Sequence, residues 1–265
     1  MTITINQQNI HYIIAGEGET VLLLHGWGAD GTLFQPLTRL LAKQYRVIAL
    51  DFPGFGRSEE PKTAWSVDDY ADCVLAFLRA LDVQSCVLVG HSFGGRVIFK
   101  LTARQLPELK IPKIVLIDAA GIKPTPTERA IKRQKRYKRG KKLLELPLVR
   151  MIFPNALEHF RQKHGSADYN AASPRMREVL VKTVNEDLSH LLPLITPPTL
   201  LIWGRNDTAT PLADAERMER EMPAAGLAVL ENAGHFSFID QQAQFLRIMQ
   251  VFLMSEPTHN QSLNL

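Results

Sequence analysis

Cysteine is scarce: Cys73 and Cys86 are the only two in 265 residues. Two thiols cannot form a disulfide framework or a cysteine metal site. Both lie in apolar segments and read as small buried hydrophobes. No run approaches the ~18 apolar residues that a membrane span requires. The start, Met1-Thr-Ile-Thr-Ile-Asn-Gln-Gln, lacks the basic stretch and apolar core of a secretory signal. The expectation is a cytoplasmic chain with no transmembrane segment. G-x-x-x-x-G-K-[ST] is absent, which excludes a P-loop, and so is the zinc motif H-E-x-x-H. Gly54-Phe55-Gly56 lacks the third glycine and the helix context of a dinucleotide site. Neither a metal nor an organic cofactor is expected, and there are no internal repeats.

What is present is ordinary globular material. Hydrophobic residues make up 45% and charged residues 22%, which excludes a disordered or fibrous chain. The length suits one larger α/β domain with an insertion, or two small ones. The net charge of +4 is too small by itself to name a nucleic acid or a membrane as partner. Its distribution is more informative. Arg129–Lys142 holds nine basic residues and no acid, so the remaining chain carries 22 basic against 27 acidic residues, a net of −5.

Short apolar runs alternate with helical patterns. Thr2–Ile5 and Ile10–Ile14 read as a hairpin. Val21–Leu24, Arg46–Leu50, Val87–Val89, Ile114–Ile117, Thr199–Trp203 and Ala228–Leu230 read as buried strands. The intervening helices are expected at Leu33–Gln44, from Ser66, and at Val97–Arg104, Leu212–Glu221 and Gln241–Met254. Ser66 with Asp69 forms a capping-box pattern. Val67, Tyr70, Ala71, Val74, Phe77, Leu78 and Leu81 then repeat on one helical face. This order predicts a largely parallel sheet covered on both faces. Residues 121–196 break the rhythm with helical patterns and no strand, a stretch too long for a structureless loop. The domain reading is therefore a core of residues 1–120 and 197–265, with a helical cap, or lid, at 121–196. Ser255–Leu265 is polar and expected to fray.

The strongest chemical signal is Gly90-His91-Ser92-Phe93-Gly94. It fits G-x-S-x-G, directly after a strand and directly before a helix. A sharp turn there strains the central residue, and small neighbours avoid clashes. The serine oxygen is thereby exposed beside a helix N-terminus, which favours negative charge. Four further motifs follow strands: His25-Gly-Trp27-Gly28, Asp51-Phe-Pro-Gly-Phe-Gly-Arg-Ser58, Trp203-Gly-Arg-Asn-Asp207 and Asn232-Ala-Gly-His235.

In these motifs and their order the chain resembles the α/β-hydrolase fold superfamily with a helical cap. The resemblance covers nearly the whole length. It implies a mostly parallel eight-stranded sheet with helices on both faces and a Ser–Asp–His serine hydrolase site. Ser92 would be the nucleophile, His235 its base and Asp207 the acid that orients the base. Asp118, at the end of Ile114–Ile117, is a rival acid, because some relatives place it there. The backbone N–H groups of Trp27 and Phe93 would form the oxyanion hole. His25 and His91 shape a loop or line the site; the other histidines match no motif. A serine nucleophile disfavours the carbon–halogen and epoxide chemistry of aspartate-bearing relatives.

The expected activity is hydrolysis of a small carboxylic ester or related acyl compound. Carbon–carbon hydrolysis, lyase or acyl-transfer chemistry on the same triad, and a non-enzymatic small-molecule receptor, are the alternatives. The basic segment 129–142 reads first as a solvated helix, then as a site for an anionic ligand or surface. Ala130, Ile131 and Tyr137 offer it only a thin apolar stripe, and one tyrosine is too little aromatic surface for single-strand stacking, so no specific nucleic acid is expected.

Overall fold

A computed structural model describes residues 1–123 and 128–255, apart from the side chains of 129–131, 150, 158 and 162. Residues 256–265 of the polar tail expected to fray lie outside the described residues. So do the Ala130 and Ile131 side chains of the expected apolar stripe.

Eight strands form one sheet: β1 (Thr2–Ile5), β2 (Gln8–Ala15), β3 (Thr20–Leu24), β4 (Arg46–Leu50), β5 (Cys86–His91), β6 (Ile114–Ile117), β7 (Thr199–Gly204) and β8 (Ala225–Leu230). Their spatial order is β1-β2-β4-β3-β5-β6-β7-β8. β1 pairs antiparallel with β2, and β2 antiparallel with β4; every other pairing is parallel. The first hairpin turns on Asn6 and Gln7, both with positive φ, as a two-residue turn matching strand twist requires.

The helices of the body are α1 (Gln35–Leu41), α2 (Val67–Ala80) and α3 (Phe93–Ala103). Between β6 and β7 come α4 (Glu128–Leu144), α5 (Pro147–Ile152), α6 (Ala156–His164), α7 (Ala167–Ala171) and α8 (Pro174–Val184). The chain then adds α9 (Leu212–Glu221), α10 (Ser237–Asp240) and α11 (Gln242–Met254).

Strand periodicity divides the core. Leu22, Leu24, Ile48, Leu50 and Leu88 face the side packed by α2, α3 and α9. Val21, Leu23, Val47, Ala49, Val87 and Val89 face α1 and α11. All eleven are under 5% exposed. Each fully buried aliphatic side chain contributes about 1.5–3 kcal/mol. Both capping-box bonds of α2 form, and its expected apolar face is buried as far as Leu78.

The differences from sequence are local. The helix expected at Leu33–Gln44 is split into a tight 3₁₀ turn, Gly31–Phe34, and α1, whose first turn holds Pro36. The helix expected at Val97 starts four residues earlier, at Phe93, because β5 feeds straight through Ser92 into α3. The segment between β6 and β7 is helical and has no strand among its described residues. No helix of the described residues is long and apolar enough to cross a membrane.

Candidate active site

Parallel strands all point their carboxyl ends the same way, so the loops after β3, β5, β6, β7 and β8 share one edge of the sheet. Ser92 sits where central strand β5 becomes α3, with φ 49° and ψ −110°. That conformation costs a side-chain-bearing residue about 1–3 kcal/mol. The surroundings hold it there. Ser92 N–H donates to Ile117 O at 3.1 Å, and Ser92 O accepts from Ala120 N–H at 2.9 Å. The flanking glycines are required sterically. A Cβ on Gly94 would run into the Leu24 carbonyl, and one on Gly90 would meet Ile98 Cδ1 at 2.6 Å.

The structure brings Ser92, His235 and Asp207 together. Ser92 Oγ lies 2.9 Å from His235 Nε2, and His235 Nδ1 lies 2.8 Å from Asp207 Oδ2. Asp207 Oδ1 accepts from the N–H groups of Ala209 (2.8 Å) and Thr210 (3.0 Å). Its Oδ2 also accepts from the Thr210 hydroxyl at 2.6 Å. An acceptor-only carboxylate at Asp207 makes His235 Nδ1 the protonated nitrogen and leaves Nε2 free to accept from the serine. Burial raises the Asp207 pKa, but the bonds from His235 and Thr210 outweigh it and hold the carboxyl below its ordinary range. Asp207 therefore stays ionised.

Asp118 is near but differently engaged. Its Oδ1 accepts from Gly204 N–H at 2.8 Å and its Oδ2 from Ser237 N–H at 3.0 Å. Gly204 ends β7, ahead of Asp207, and Ser237 stands two residues after His235. Asp118 thus ties the loop of the acid to the loop of the histidine, and among the described residues it makes no bond to the imidazole. Burial pushes its carboxyl up to about 7, against the hydrogen bonds that favour the charged form.

The two motif histidines act as struts. His25 Nδ1 donates to Gly26 O at 2.7 Å, while its Nε2 accepts from Phe52 N–H at 2.9 Å. His91 Nε2 donates to His235 O at 2.8 Å, fixing the backbone of that loop. Burial pushes the His91 ring down to about 3, so it stays neutral at ordinary pH. His11, which matches no motif, bonds Asp51 at 2.8 Å, and Asp51 also accepts from Gly31 and Arg57 N–H.

The N–H groups of Trp27 and Phe93 have no acceptor among the described residues. Phe93 follows Ser92 directly. Gly26, next to Trp27, approaches so closely that an added Cβ would lie 3.2 Å from Ser92 Cβ. The two rings meet edge to face at 5.7 Å. Phe93 is buried in the core and Trp27 is half-buried against it, and both line a cavity.

That cavity holds about 430 Å³ and reaches Ser92 and His235. Its walls are mainly apolar, with Trp27, Phe93, Ile122, Leu180, Val184 and Phe236. Leu180 and Val184 come from α8, and Asp168 comes from α7. Sequence reasoning assigned no cavity contacts to this stretch. It also missed Arg96, a buried cation on the cavity wall whose Nη1 donates to Glu186 O at 2.8 Å. Arg96 stands one turn into α3 from Ser92, and that spacing was the available signal. Thr210 was missed too; no motif marks a threonine three residues after an acid.

A mostly parallel sheet covered on both faces, with a strained serine at the end of a central strand and a histidine and carboxylate delivered by later loops, defines an α/β protein with a serine–histidine–aspartate cluster. Residues 19–242 match the model of the alpha/beta hydrolase fold, and the chain belongs to that family. Among curated relatives, a pimeloyl-[acyl-carrier protein] methyl ester esterase of Aeromonas hydrophila is 30% identical, over 90% of this chain and 96% of its own. A 2-hydroxy-6-oxononadienedioate/2-hydroxy-6-oxononatrienedioate hydrolase of Pseudomonas putida is 28% identical, over 92% of this chain and 91% of its own. An esterase structure from Exiguobacterium antarcticum superposes with a TM-score of 0.75 at 24% identity, covering 96% and 99% of the two chains. That last likeness speaks for the fold alone.

Proposed function

We propose that the chain is a serine hydrolase cleaving a small carboxylic ester or related acyl compound. The observation that carries this reading is the unbroken chain Ser92 Oγ to His235 to Asp207, with links of 2.9 and 2.8 Å, opening into a mainly apolar cavity. Serine at its free pKa is a poor nucleophile and needs such a base. His235 Nε2 takes the Ser92 proton as Oγ attacks the carbonyl carbon. Asp207 stabilises the resulting imidazolium. The carbonyl oxygen becomes an oxyanion, which the Trp27 and Phe93 N–H groups would hold; neither has an acceptor among the described residues. Collapse expels the alcohol, which leaves with the proton from His235. Water then attacks the acyl-enzyme, His235 takes its proton, and the acid leaves as Ser92 is restored. Every step runs on this chain's own residues.

In this reading residues 121–196 form a cap, or lid, over a core of residues 1–120 and 197–265. Leu180 and Val184 would then select the acyl group. The cavity volume suits a small ligand. The esterase from Aeromonas hydrophila supports ester chemistry.

A second reading, carbon–carbon bond hydrolysis on the same residues, is favoured by one feature. Arg96 places a cation on the cavity wall, as a substrate bearing a carboxylate would need. The Pseudomonas putida relative is named for the hydrolysis of such dioic acids. A panel of p-nitrophenyl esters of increasing acyl length, run with Ser92→Ala as control, separates the two. The ester reading requires turnover with a clear optimum of chain length and loss of all of it in Ser92→Ala. No turnover on any ester would transfer the assignment to carbon–carbon cleavage.

A further inference from the structure

The basic helix and the segment that follows it in the chain concentrate exposed charge and exposed apolar side chains. α4 leaves Lys132, Arg133, Lys135, Arg136, Lys138 and Arg139 exposed. Among the described side chains of this helix, Lys141 alone has a carboxylate partner, Glu145 at 3.6 Å. α4 is seated by one edge. Tyr137 stacks on Phe160 of α6 with centroids 5.3 Å apart, and a Cβ on Gly140 would meet the same ring at 2.8 Å.

The apolar component lies just downstream. Leu143, Leu146, Leu148, Met151, Ile152 and Phe153 are all exposed, Met151 by 74% and Leu148 by 65%. These eleven residues of chain hold six of the fourteen exposed large apolar side chains described. Single exposed apolar residues are ordinary, but a contiguous group marks an interaction surface. In sequence this stretch resembles core, because Leu, Val and Ile dominate it.

The complement of such a surface has negative charge outside and hydrocarbon directly beneath. A nucleic acid offers the charge without the hydrocarbon and would leave Met151 and Phe153 in water. We propose that α4 and α5 dock the molecule onto anionic lipid bilayers. The basic side chains lie among the headgroups, and Leu148, Met151, Ile152 and Phe153 enter the upper acyl region. Each basic side chain near such a surface strengthens partitioning about five-fold at moderate ionic strength. Charge alone is screened by salt, whereas the apolar contribution persists, and stable docking takes two such signals. The proposal is independent of the reaction assigned to Ser92.

Co-sedimentation of the intact chain with vesicles tests it. Vesicles of phosphatidylcholine are compared with vesicles carrying roughly one-third phosphatidylglycerol. Partitioning should be at least about ten-fold stronger on the anionic vesicles and fall as salt is raised. The triple variant Lys135→Glu, Arg136→Glu, Lys138→Glu should lose more than about ten-fold at low salt. The triple variant Leu148→Gln, Met151→Gln, Phe153→Gln should lose about five-fold or more at high salt, where charge is screened. All six side chains are exposed, so the thermal midpoints of both variants should match the parent and exclude misfolding as the cause. Equal partitioning onto neutral and anionic vesicles would overturn the proposal. So would unchanged partitioning in the apolar variant, or binding of a duplex oligonucleotide without binding of vesicles.

Discussion

The sheet body and the helical segment between β6 and β7 differ in how their side chains are held. In the body, each group of the Ser92 cluster is fixed by several bonds. Asp207 accepts from Ala209, Thr210 and His235, His91 holds the His235 carbonyl, and Asp118 clamps Gly204 and Ser237. The helical segment has little of this. Its basic residues are concentrated on α4, and its apolar residues divide among Met176 and Val179 in the core, Leu180 and Val184 on the cavity, and the exposed group around α5. Chemistry is placed where backbone hydrogen bonds over-determine geometry. The proposed selection and membrane docking fall to helices outside the sheet.

The contrast can be broken by mutation, and the largest effect belongs to the body. Asp207→Asn keeps the shape but gives His235 Nδ1 an ambiguous partner, so turnover of an activated ester should fall about 10³–10⁴-fold. Near-normal kcat would move the orienting role to Asp118.

Asp118 itself gives the next effect, on stability. Its carboxyl is raised to about 7 in the fold, against an ordinary 3.8. Between these values the folded chain binds a proton that the unfolded chain has released. This group's contribution is therefore fully present below about pH 4 and is lost as pH rises toward 7, by a few kcal/mol. Asp118→Asn removes that slope. It also turns an amide N–H₂ toward a backbone donor, at a cost of about 1–3 kcal/mol. Urea midpoints between pH 4 and 8 measure both, and parallel curves for parent and variant would contradict the assignment.

Smaller effects belong to the helical segment. Leu180→Ala enlarges the cavity wall and should shift the preferred acyl length, changing relative kcat/KM by about ten-fold with little change in kcat. Unaltered chain-length preference would place substrate elsewhere. The smallest effect, none, is expected from Lys135→Glu with Lys138→Glu on the kcat/KM of a short neutral ester. A loss there would couple α4 to the Ser92 cluster.

Much of this was legible in the sequence, for local reasons. Ser92 announces itself because one strand, one turn and one helix require glycines at fixed places. His235 follows from its position after the last strand. Pattern and the order Ser92, Asp207, His235 favoured Asp207 but left Asp118 as a rival, since each follows a strand of the same sheet. What separates them is which backbone N–H groups occupy the Asp118 carboxylate, and those come from residues 86 and 119 positions away. The helices of 121–196 were evident, but their faces were not. Leu146–Phe153 is apolar enough to pass for core, and only tertiary packing leaves it bare.

The central claim is that Ser92 carries the acyl group. Fluorophosphonate treatment followed by peptide mass analysis tests it most directly. The tryptic peptide Ala80–Arg96 should carry one adduct on Ser92, and Ser92→Ala should carry none anywhere. An adduct on another residue, or labelling that persists in Ser92→Ala, would contradict the account.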